Sequence, residues 1–192
     1  MQLFDRAGQR KYLTPNERVD FLRAADGASP HVRTFCRTLA FTGCRISEAL
    51  KLTAVRVDAS AGILIFESLK KRRKGVFRAV PVPSDFLHAL EEVHDLKALR
   101  LKEDQDRDGR LWNWSRTTGW RRVKEVLQAA EISGIQAMPK GVRHGFGIKA
   151  VTSEVPLNMA QKWLGHARLS TTSIYTDAIG PEEQQIASRM WA

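Results

Sequence analysis

The sequence predicts a mainly helical domain with one small antiparallel β-sheet, an α+β arrangement. Three observations carry that expectation. Apolar residues recur at three- and four-residue spacing through most of the 192 residues, the signature of helix faces. Two neighbouring segments, GILIFES and VFRAVPVP, instead read as strands. The basic stretch KKRRKG lies between them, where a hairpin turn would fall.

The elements follow in order. In LTPNERVDFLRAA, Thr14 is the expected N-cap, Pro15 the first helical residue and Glu17 the partner that completes a capping box, with Val19, Leu22 and Ala25 on one face. His31 to Thr42 carries Val32, Phe35, Cys36, Leu39 and Ala40 at helical spacing and stops at Gly43. A short helix takes Ile46 to Leu52, and the hairpin comes next. Ser84 caps a helix through about Val93, and LKEDQDRDGR, Leu101 to Arg110, reads as a surface loop. Leu111, Trp112 and Trp114 precede a helix from about Thr118 to Ala130 whose apolar stripe is Trp120, Val123, Val126 and Leu127; Trp112 is assigned to the core. Further helices are expected at Gly141 to Val151, at Pro156 to Leu164 with Gly165 as its stop, and at Thr171 to Thr176, and the amphipathic PEEQQIASRMW ends the chain. With no internal repeat or low-complexity tract, residues 1–192 read as a single domain.

A domain of this size with 43% hydrophobic residues can bury roughly 70% of its unfolded surface, which excludes disorder and removes any need for a disulfide or structural metal. No run approaches the roughly 18 apolar residues of a membrane span, and MQLFDRAGQRKYL lacks the apolar core of a signal peptide. The expectation is a cytoplasmic protein without a membrane partner. Cys36 and Cys44 have no zinc-like spacing and read as buried small side chains. The 31 Lys+Arg against 21 Asp+Glu leave a net charge of +10, unevenly placed. Asp85 to Asp108 holds eight acids and four bases, whereas Lys70 to Arg78 packs six cations into nine residues without an acid. Such a run faces phosphate or forms a solvated turn, and charge alone does not separate the two.

Four segments bring polar groups to helix ends and turns: TGCRISE with Arg45 and Glu48, ESLKKRRK with Lys70, PKGVRHGFG with Lys140 and Arg143, and LGHARLSTTSIYT with His166 and Tyr175. Each alone has a structural explanation, such as an arginine paired to Glu48 or a packing tyrosine. Together, Arg45, Arg143 and His166 supply donors for phosphate oxygens, and Tyr175 supplies a nucleophile.

On these motifs the sequence resembles the tyrosine recombinase (phage integrase) family from about Leu13 to Tyr175. The family's T-G-x-R-x-x-E motif is matched by Thr42, Gly43, Arg45 and Glu48, and its L-G-H-x8-Y signature by Leu164, Gly165, His166 and Tyr175. Arg143 and His144 match the end of H-x-L-R-H, but Lys140 stands where the family usually has the first histidine. Lys70 fits the family's strand-end lysine, with Lys71 its rival. GFG at 145–147 reads as a site of close helix packing.

The resemblance implies a catalytic-domain fold and a DNA strand transferase. Tyr175 would attack a scissile phosphodiester to form a 3′-phosphotyrosyl link, with Arg45, Arg143 and His166 stabilising the transition state. Lys70 would protonate the leaving 5′-oxygen, Glu48 would buttress Arg45, and Lys140 would either accept the tyrosyl proton or bind phosphate. His144 is expected to make a structural hydrogen bond on another side of its helix. The partner implied is double-stranded DNA, with self-association as a tetramer on it and with residues 181–192 packing in trans. No cofactor, metal or small-molecule substrate is implied. Lys71, Arg72, Arg73, Lys74 and Arg78 of the hairpin, and Arg116, Arg121 and Arg122, are the expected DNA contacts. About a dozen residues precede Thr14, so the family's usual N-terminal DNA-clamping domain is expected to be absent. A type IB topoisomerase or a non-catalytic DNA-binding accessory protein are the competing readings.

Overall fold

The computed structural model describes residues 2–68, 75–102, 109–177, 184 and 187–191. Helix α1, Pro15–Asp26, starts as its capping box dictates: the Thr14 hydroxyl accepts from the Glu17 N–H, and the Glu17 carboxylate accepts from the Thr14 N–H at 2.9 Å. Its inward residues are Phe21 and Ala25, while Val19 is exposed, a correction to the expected face. Helix α2, Pro30–Thr42, buries Val32, Phe35, Cys36, Leu39 and Ala40 and ends at Gly43 in the left-handed conformation, φ 59°. Helix α3, Ile46–Ala49, is shorter than expected. Both cysteines are buried free thiols.

Strands β1, Val57–Asp58, β2, Ile63–Glu67, and β3, Phe77–Pro81, form an antiparallel sheet in chain order, with Phe66 opposite Arg78 and Leu64 opposite Val80. The β2–β3 hairpin is the expected one, and its basic turn lies outside the described residues. Helix α4, Ser84–His94, is followed by α5, Leu96–Lys102, whose last residues fall where the sequence predicts the start of a loop. Asp95, in a left-handed turn at φ 45°, separates the two. Helix α6, Arg116–Ala129, begins at the Ser115 N-cap and buries Gly119, Val123, Val126 and Leu127. Trp120 is exposed instead, because Gly119 takes the inward position against Phe35, and Lys124 lies over the indole. Trp112 is in the core and donates its Nε1–H to the His31 carbonyl at 2.9 Å.

Helix α7, Pro139–Thr152, is the central element, buried on nearly every side and packed against α1, α2, α6 and α8. Helix α8, Leu157–Leu164, ends at Gly165, and two 3-10 turns, Leu169–Thr171 and Ser173–Asp177, replace the last expected helix. Two apolar clusters result. The larger joins α1, α2, the sheet, α4 and α6. The smaller gathers Leu3 and Tyr12 from the N-terminal turn with Phe146, Ile148, Leu164 and Tyr175. Among the described residues no helix is long and apolar enough to cross a membrane.

Candidate active site

Arg45 stands at the start of α3, where the chain leaves the left-handed turn at Gly43. Its Nη1 donates to Glu48 Oε1 at 2.8 Å, and its backbone N–H donates to Glu48 Oε2 at 2.9 Å. One carboxylate one turn later therefore fixes both the main chain and the side chain of the arginine. Glu48 is buried, which alone would raise its pKa; the charge and hydrogen bond of Arg78, with those of Arg45, hold it below the usual carboxylate range.

Arg143, on α7, points across to the turns that carry the other motifs. Its Nη1 donates to the Gly43 carbonyl at 2.6 Å and its Nη2 to the Leu164 carbonyl at 2.8 Å. These bonds tie together TGCR and LGH, segments separated by more than a hundred residues of chain. Gly43 and Gly165 both have positive φ, and a side chain at Gly165 would press on the Arg78 guanidinium. Burial, reinforced by Arg45, lowers the Arg143 pKa to about 10. The group stays cationic at neutral pH.

His166 follows Gly165, and its Nδ1 lies 2.9 Å from the Thr172 hydroxyl. Burial, with the charges of Arg143 and Arg45, pushes its pKa down to about 3, so the ring is neutral at pH 7. The Tyr175 ring lies nearly parallel to it, 14° between planes and 6.3 Å between centroids. Tyr175 is fully buried. Its ring rests on Gly147, where a methyl group would collide with it, so the GFG segment is a packing site as expected. Burial raises the phenol pKa to about 12 against the pull of Arg143 and Arg45.

The Tyr175 hydroxyl lies 3.1 Å from His144 Nδ1. His144 does make a structural hydrogen bond, as expected, but its partner is the candidate nucleophile itself. Burial first, then Lys140 and Arg143, lowers the His144 pKa to about 3. In this arrangement phenol and imidazole are both neutral, and the candidate nucleophile is buried against the imidazole.

Arg45, Glu48, Arg143, His166 and Tyr175 thus share one cluster. Lys140 is exposed on the first turn of α7, one turn before His144. Lys70, Lys71, Arg72, Arg73 and Lys74 lie outside the described residues. Arg116, Arg121 and Arg122 are exposed on α6, where Arg122 pairs with Glu125 at 3.0 Å. Arg78 corrects the expected DNA contact: it is buried, its Nη2 bonds Glu48 at 2.6 Å, and its Nε bonds the Trp163 carbonyl at 2.8 Å. The signal that reveals this is the strand alternation, since Arg78 and Val80 share the inward face of β3 while Phe77 points out. Among the described residues no group of three or more His, Cys, Asp or Glu side chains could hold a metal ion.

The chain is similar to the tyrosine recombinase XerD of Haemophilus ducreyi, 28% identical over 174 residues that span 86% of this chain and 57% of the relative. It thus spans little more than half the length of such a relative. Its fold resembles that of XerA recombinase, with a TM-score of 0.77 and 23% identity over 93% of this chain and 64% of the other. It also resembles that of the XerH site-specific recombinase bound to difH substrate, with a TM-score of 0.75 and 19% identity over 98% of this chain and 60% of the other. The phage integrase family model matches residues 11–179, and the chain belongs to that family.

Proposed function

We propose that the chain acts as a site-specific DNA recombinase that cuts and rejoins strands through a 3′-phosphotyrosyl intermediate. The observation that carries the reading is the convergence of Arg45, Arg143 and His166 around Tyr175, in a chain similar to recombinases one of which is bound to its difH substrate. The scissile phosphate sits against the two arginines, whose charge offsets the negative charge that builds on its oxygens in the transition state. In the tautomer in which the Thr172 hydroxyl donates to His166 Nδ1, Nε2–H is left as a further donor to phosphate. Tyr175 leaves His144, gives up its phenolic proton to solvent and attacks phosphorus; the P–O5′ bond breaks, and Lys70 protonates the departing 5′-oxygen. That hydroxyl, or one from a partner strand, later attacks the phosphotyrosyl link and gives its proton back to Lys70, while the bond from phosphorus to the Tyr175 oxygen breaks and the phenolate takes a proton from solvent. Lys140, being exposed, serves as a phosphate contact. Loss of either Arg45 or Arg143 is expected to slow cleavage about 10²- to 10³-fold.

The partner is double-stranded DNA, and assembly on it is tetrameric. Arg189 bonds the Thr152 carbonyl at 2.9 Å and pairs with Glu154 at the end of α7, while Met190 and Trp191 stand exposed beyond it, open to a neighbouring copy. Deleting residues 181–192 is expected to weaken cooperative assembly in gel-shift titrations and to leave the fold; unchanged assembly contradicts packing in trans. The catalytic reading is tested with a nicked suicide duplex carrying a site selected by the chain from random-sequence duplexes. The protein is expected to leave a covalent adduct that Tyr175→Phe abolishes. Tight binding without an adduct would identify a DNA-binding accessory protein instead.

A further inference from the structure

Arg78 is the one cation of the basic hairpin region that the structure describes in the interior, and neither the family motifs nor the mechanism above uses it. Its guanidinium joins three parts of the site. Nη2 donates to Glu48 Oε2 at 2.6 Å, so Glu48 is shared between Arg78 and Arg45. Nε donates to the Trp163 carbonyl at 2.8 Å, and the next carbonyl, of Leu164, is held by Arg143. The two arginines thereby satisfy consecutive carbonyls at the C-terminal end of α8, where the helix leaves acceptors unpaired and favours cations. The plane of the Arg78 guanidinium lies under Gly165, close enough that a methyl group there would meet its Cζ, Nε and Nη1, and His166 is the next residue. Beneath it is the Phe66 ring, 5.3 Å away. Arg78 is also on the strand that closes the hairpin carrying Lys70.

We propose that Arg78 is a positioning residue of the active site, setting Arg45 through Glu48 and setting His166 through the α8 terminus. Without it, Glu48 Oε2 keeps only the Arg45 backbone N–H, and the buried carboxylate, short of one charged partner, draws the Arg45 guanidinium toward itself. The α8 terminus that leads to His166 loses one of its two arginine anchors at the same time. Displacements of about 1 Å in such groups can cost about 100-fold in rate. This inference rests on the recombinase reading, and its test separates the two.

The experiment measures single-turnover adduct formation on the nicked suicide duplex, together with DNA binding by gel shift, for Arg78→Met and Arg78→Lys. Arg78→Met is expected to slow cleavage by about 10- to 100-fold while binding changes by less than about threefold. Arg78→Lys keeps the charge beside Glu48 but not the bond geometry, and recovers part of the rate. The decisive readout is the Arg45→Ala background. A residue that acts through Arg45 has a smaller effect once Arg45 is gone, whereas a purely structural residue slows both backgrounds alike. If Arg78→Met does not fold, Arg78→Lys carries the same comparison. Equal slowing in both backgrounds, or no slowing at all, overturns the proposal while leaving the recombinase reading in place. Failure of the unsubstituted protein to form any adduct overturns both.

Discussion

Tyr175 and His144 meet inside the protein as a neutral pair, and this pair determines what the resting site can do. A phenol with its pKa near 12 beside an imidazole near 3 has no thermodynamic reason to release its proton; activation must therefore change the surroundings of Tyr175. The absorbance change that Tyr175→Phe removes from an alkaline titration of the free protein is expected to have its midpoint near 12, and a midpoint at or below about 10, the ordinary phenol value, would show that the phenol is not stored as described. Gly147 provides the space for this storage. Gly147→Ala places a methyl against the Tyr175 ring and is expected to cost about 1 to 3 kcal/mol in urea denaturation. It should also make Tyr175 more reactive toward tetranitromethane. Wild-type stability with wild-type nitration would contradict that packing.

Capping, alternation and charge act at the scale of the element, and each is legible in the sequence to a different degree. The capping box of α1 is readable because Thr14, Pro15 and Glu17 act locally; Thr14→Ala is expected to cost about 1 kcal/mol, measurable by thermal unfolding. Glycine stops at Gly43 and Gly165 are readable for the same reason, and so are Arg45 and His166, which stand just after them, whereas Arg143 and Tyr175 are legible only through the motifs they complete. Long-range effects are less visible. Arg78 looks like part of a basic patch because its neighbours in sequence are cationic, but the strand turns it inward to Glu48, 30 residues away in sequence. Trp120 looks inward by periodicity, but Gly119 lets Phe35 approach and shifts the buried face by one residue. The partner of His144 is not readable, because it depends on how the chain returns after α8. For the hairpin itself, replacing Lys71, Arg72, Arg73 and Lys74 by Gln is expected to reduce the slope of log affinity against log salt by up to about 0.9 for each phosphate that the protein no longer neutralises. An unchanged slope would mean that the run is a solvated turn.

The whole molecule couples folding to the neutrality of its buried histidines. His94, against Thr34 and Trp112, has its pKa lowered to about 4 by burial and by His31, and His144 and His166 lie near 3. All three folded values are below the unfolded value of about 6.5, so the unfolded chain binds more protons as pH falls. Their stabilising contribution is present above about pH 6.5 and is lost progressively as pH falls from there to about 3 to 4. For the well-buried His94 and His144 the loss approaches about 1.4 kcal/mol per pH unit apiece. Urea midpoints are expected to fall steadily from about pH 7 to about pH 4.5, and a flat profile would show that these rings do not titrate on unfolding. In the same molecule the N-terminal turn, α7 and the α8 terminus enclose Tyr175, while Arg143 is fixed by main-chain carbonyls and Arg45 by Glu48. That division between a stored nucleophile and a prebuilt anion site is what the recombinase reading requires. The most direct measurement is peptide mapping of the suicide-duplex reaction by mass spectrometry. A nucleotide joined through its 3′-phosphate to Tyr175, with a free 5′-hydroxyl on the released strand, is the expected result; a link to another residue, a 5′-phosphotyrosyl link, or intact DNA on a tightly bound protein would contradict it.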